Sequence, residues 1–118
     1  MGQNSTEVAY GFGQLGSGFS DAASSFTPPT GKVIVAITFL ADTSLSALVA
    51  DTSGYTLANG STGEAYFSHT AAVTANGGNA TPTDSSQVFP KGLTIYGRWT
   101  AVTTAADSDG GIICYFGI

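Results

Sequence analysis

Three stretches carry the clearest hydrophobic pattern, and each reads as a β-strand. Over 93–101 the period is two: Leu93, Ile95, Trp99 and Ala101 fall on one face, and Thr94, Tyr96, Arg98 and Thr100 on the other. That period belongs to a strand with one buried and one wetter face. Pro90 and Gly92 mark its entry, where proline is tolerated. The stretch 32–41 is rich in β-branched residues and apolar on both faces, with Val33, Val35, Ile37 and Phe39 against Ile34, Ala36 and Leu40. A strand of that kind is covered on both sides, in the middle of a sheet or at a subunit interface. The third stretch, 111–118, follows Asp109-Gly110, a hairpin signal. The pattern therefore predicts an antiparallel hairpin of 93–103 with 111–118.

Between these strands the signals are shorter. Leu45, Leu48 and Val49 predict one more strand. Pro28-Pro29-Thr30-Gly31 predicts a turn, and Asn59-Gly60, Asn76-Gly77-Gly78 and Thr81-Pro82-Thr83-Asp84 predict turns or loops. No segment has a 3.6-residue period. The expected fold is all-β, an antiparallel sandwich or barrel. Its expected layout is a glycine-rich arm over 1–31 and a single β domain over 32–118, with a loop-rich excursion at about 51–88. In the arm, glycine spacing opposes a compact core while Tyr10, Phe12, Phe19 and Phe26 need burial, so the arm is expected to reach a neighbouring surface.

Composition narrows the function. Only 9% of the 118 residues are charged, the formal net charge is −5, and Lys32, Lys91 and Arg98 are the cations. Three scattered cations do not make the basic stripe that nucleic acid requires. No apolar run approaches the ~20 residues of a membrane helix. So little charge suits life inside an assembly rather than free at high concentration. In that setting Lys91 and Arg98 are expected to pair with carboxylates, on this subunit or a partner's, and Trp99 to anchor a core or an interface.

Catalytic and metal chemistry finds little support. His69 is the single histidine, and no Gly-x-Ser-x-Gly elbow accompanies it. One histidine and one cysteine do not close a tetrahedral zinc site. Asp107-Ser-Asp109-Gly110 opens like a calcium loop, but its twelfth position is Ile118 rather than glutamate. Gly11, Gly13 and Gly16 have dinucleotide-loop spacing without a following helix. Cys114, between Ile113 and Tyr115, reads as a small hydrophobe. The chain is thus expected to be non-enzymatic and without cofactor or metal.

Four segments carry a family resemblance: Gly18-Phe19-Ser20-Asp21, Thr27-Pro-Pro-Thr-Gly31, Val35-Ala-Ile-Thr-Phe-Leu-Ala-Asp-Thr43 and Phe89-Pro-Lys-Gly-Leu-Thr-Ile-Tyr-Gly-Arg-Trp-Thr100. Together with Ile113-Cys-Tyr-Phe-Gly117 they resemble small virion structural proteins of tailed bacteriophages, many from marine and cyanobacterial hosts. The resemblance covers most of the chain except about 45–88. It implies a capsid decoration (cement) protein on the outer surface of the head, made in the host cytoplasm. It implies the major capsid protein and further copies of itself, as a homotrimer, for partners, and neither nucleic acid nor membrane. The partner-binding candidates are Tyr10, Phe12, Phe19, Phe26, Lys91, Arg98 and Trp99. The alternative implied is a host-facing adhesion module on a fibre or tail.

Overall fold

The computed structural model describes residues 15–21, 25–52, 66–68, 79–83, 86–105 and 111–118. These form an all-β fold with five strands: β1 (Ser17–Ser20), β2 (Val33–Phe39), β3 (Leu45–Ala50), β4 (Thr94–Thr104) and β5 (Ile112–Gly117). All belong to one antiparallel sheet of order β1-β5-β2-β4-β3. β2, the strand apolar on both faces, lies at its centre, as that pattern predicts.

Chain reach shows that the sheet is curled. Phe39 bonds to Leu93 beside the start of β4, while Leu45 pairs with Thr104 at its end. Six residue steps separate Phe39 from Leu45, at most about 22 Å of chain. A straight β4 would run about 34 Å. β4 must therefore bend back on itself, and the ladders slip where it does. Pairing shifts between Ile34 and Ala36 on β2, and between Leu45 and Ala47 and between Val49 and Ala50 on β3. Such bulges bend a strand and increase its twist. The described strands thus wrap one core instead of stacking as two sheets.

The slips also exchange faces, since one extra residue moves every later side chain across the sheet. On β2, Phe39 and Ile37 point into the core, but past the slip Ile34 takes that role. On β4, Trp99 is buried in the core, yet Val102 and Thr104 follow it there. This corrects the strict alternation expected over 93–101: Val102, not Ala101, is the next core side chain after Trp99.

Both turns entering long strands follow the same grammar. Lys32 N–H bonds to Pro29 O, and Leu93 N–H to Pro90 O. Gly31 and Gly92 sit third in these turns with φ of 84° and 87°, the left-handed region that a type II turn requires there. Two aromatic lids close the core. Phe89 exchanges two backbone bonds with Thr43 and stacks on Phe39 with centroids 4.9 Å apart. Phe26 exchanges two with Val102, beyond the start of β2, and stacks on Phe116 at 6.0 Å.

The expected hairpin is corrected as well. β4 and β5 do not form a hairpin: both run antiparallel to β2, hence parallel to each other, with β2 between them. The Asp-Gly signal is local and does not choose a pairing partner, whereas the apolar β2 satisfies both neighbours. Of the 1–31 arm, most of which lies outside the described residues, 17–20 lie in the sheet. Ser17–Ser20 pairs with β5, and Lys32 Nζ donates to Leu15 O at 2.9 Å. A deletion through residue 20 would remove a strand rather than a tether.

Trp99 is the largest fully buried side chain. Its indole leans back over Gly97, where an added Cβ would lie 2.7 Å from the ring. Trp99→Ala is expected to cost about 3–5 kcal/mol in denaturant unfolding, as for buried aromatics elsewhere. Gly97→Ala is expected to cost about 1–3 kcal/mol by overpacking. In the Trp99→Ala background that second cost should largely vanish, giving a large coupling in the double-mutant cycle. Additive losses would show that the ring does not depend on Gly97.

Candidate functional site

The partner-binding candidates occupy very different places. Trp99 is 0% exposed, donates its indole N–H to Phe67 O at 3.0 Å and meets the Phe67 ring edge-on at 5.3 Å. It is a core residue and does not present a surface to a partner. Phe26 is likewise engaged inside the chain, its ring over Gly18 and Phe116. Arg98 finds its carboxylate on its own chain: Nε and Nη2 donate to Asp51 Oδ2, both at 3.3 Å, and Nη1 donates to Ile118 O at 2.8 Å. Asp51 is buried, so this fork ties β4 to the segments after β3 and β5. Lys91 lies exposed at the 90–93 turn, where its backbone N–H donates to Asp42 Oδ1 at 2.8 Å. Tyr10 and Phe12 lie outside the described residues, as do His69, Asp107 and Asp109.

Phe19 differs. It is 59% exposed, on the sheet face away from the core. Register defines that face in two rows across four strands. One runs Ser17, Tyr115, Ala36, Tyr96; the next runs Phe19, Ile113, Thr38, Thr94. Tyr96 is 62% exposed and Ala36 is buried between the two tyrosines. The hydroxyls of Thr38 and Thr94 bond at 2.8 Å. Neither row contains an ionisable charge at neutral pH. An uncharged sheet face with exposed aromatics offers low desolvation cost and rigid contact area. Sequence reasoning singled out Phe19 here but passed over Tyr96 and Tyr115. The available signal was alternation, which set Tyr96 on the wetter face of its strand.

Among the described residues no three His, Cys, Asp or Glu side chains group as a metal site. Among the described residues no helix is long and apolar enough to cross a membrane. Cys114 is fully buried, and desolvation pushes its thiol up to about 12. A reactive cysteine needs the opposite shift.

Two measurements follow from these placements. Arg98→Ala should lower stability by about 1–3 kcal/mol, because buried Asp51 loses donors to its charge while Arg98 itself is partly solvated. Cys114 should resist thiol reagents in the folded chain and react fully once unfolded. Its raised value also adds stability that is present below the ordinary value of 9.0 and lost as pH rises toward about 12. Rapid native labelling at neutral pH would contradict the burial. No protein-family model, curated protein or solved structure matches this chain.

Proposed function

We propose that this chain is a non-enzymatic structural protein of a tailed-phage virion, a decoration protein that binds the outer head and bridges capsid subunits. The observation that carries this reading is the uncharged outer face, two rows wide across β1, β5, β2 and β4, with Tyr96 and Phe19 exposed. A broad neutral aromatic face fits another protein surface better than a phosphate backbone or a small ionic substrate. The resemblance of the 89–100 segment to small virion proteins points the same way. The partners in this reading are the major capsid protein and further copies of the chain, as a trimer. A protein that binds only the assembled shell stabilises that shell by mass action.

Copy number tests the reading most directly. Quantitative gel densitometry of purified virions should find a head-coating stoichiometry, and stripped particles should release DNA at a lower temperature than decorated ones. Tyr96→Asp should weaken binding to stripped particles at least about tenfold, since it places a charge in the centre of the contact. A few copies per virion, with density at the tail alone, would replace this function with the host-facing adhesion module.

A further inference from the structure

β1 closes one side of the sheet, and its outer edge has a defined set of backbone groups. Phe116 N–H donates to Gly16 O at 3.0 Å, which makes residues 16, 18 and 20 the ones facing β5. Alternation then turns the N–H and C=O of Ser17 and Phe19 outward. Among the described residues nothing bonds to those outward groups. β1 is short, at four residues, but its own sequence carries none of the other protections of an edge. Residues 15–20 contain neither charge nor proline, and the β1–β5 register has no bulge.

We propose that this edge is a self-association site, where a second copy of the chain lays its own β1 antiparallel to the first about a two-fold axis. Ser17 then faces the partner's Phe19, and Phe19 faces the partner's Ser17. The outward groups of both copies satisfy one another in roughly four hydrogen bonds. Two observations select a second copy as the occupant. The edge is complementary to itself, because both outward residues offer a donor and an acceptor, and a two-fold contact of this kind closes without growing into a fibre. The flanking charges also fit: antiparallel pairing holds the two Asp21 side chains roughly 20 Å apart, beyond the screening length at physiological salt, and sets each Asp21 opposite the partner's Leu15, whose carbonyl takes Lys32 Nζ within one chain. A parallel arrangement would set the two Asp21 side chains side by side. The uncharged rows then continue from one copy into the next, with both Phe19 rings at the seam. The contact is small, so the dimer is weak and concentration-dependent.

The test uses the purified full chain, without any particle: a two-chain mass replaces the trimer of the virion reading by a dimer and leaves capsid binding, which is measured separately on stripped particles, untouched. Sedimentation equilibrium over a wide concentration range should show the mass rising from one chain to two. Ser17→Pro and Phe19→Pro each delete an outward N–H while leaving the bonds of residues 16, 18 and 20 to β5. Each should weaken self-association at least about tenfold. Circular dichroism and thermal unfolding at high dilution check that the monomer still folds. Ser17→Lys, an edge lysine, gives the same readout if either proline unfolds the chain. A wild-type chain that stays single at its highest soluble concentration would overturn the proposal. So would a three-chain mass, or a dimer that folded Ser17→Lys leaves undiminished.

Discussion

The seat of Trp99 above Gly97 is the constraint on which the fold depends. The indole fills the inside of the bend in β4, and it fits because Gly97 has no side chain to meet it. A bent β4 brings Leu45 and Phe39 within one short connection of each other, with Phe89 bonded to Thr43 between them. Without that bend the sheet would be flat and its core face open on one side. The bulges that create the bend also carry Ile34, Val102 and Leu48 into the core as the ladder slips. Local irregularity and global closure are one adjustment made in several strands.

The polar interactions serve the same closure at its margins. Arg98 reaches both Asp51 and the backbone of Ile118, at the place where β4 leaves β2 and β5 behind. Asp42 receives the N–H of Lys91 and steadies the turn that opens β4. Arg98 and Lys32 bond where strands meet, and the two outer rows through Tyr96 and Phe19 are left neutral. A pinned rim thus borders two uncharged rows in the described residues.

Sequence legibility divided along physical lines. Strand positions were readable because burial imposes a period of two, and the apolar 32–41 stretch marked the central strand. Pairing was not readable. The Asp109-Gly110 signal suggested a hairpin, but turn chemistry is local, while β2 competes for both β4 and β5 with a longer apolar surface. Faces were readable in part: Ile95 and Trp99 were placed correctly with the core, whereas Leu93 is exposed and Ala101 lies past the slip opposite Val49 and Ala50. The aromatic residues of the site followed that limit. Phe19 was visible as an apolar residue among glycines, Trp99 was singled out for contact and is buried, and Tyr96 was hidden in plain alternation. Tyr10 and Phe12 lie beyond what the structure describes.

The place of β1 has a consequence for the order in which the chain can assemble. Its neighbour is β5, so Ser17 finds Tyr115 across 98 intervening steps of sequence. A ribosome releases the first strand long before it makes the last. Until 112–117 has emerged, β1 has no partner and the apolar flank of β2 that β5 will cover stays bare. Closure over so long a span is slow, and intermediates with open strand edges are prone to associate wrongly. The low propensity of a glycine-punctuated β1 to form a strand by itself then becomes useful. A segment that stays irregular until its partner arrives is a poor template for other nascent chains.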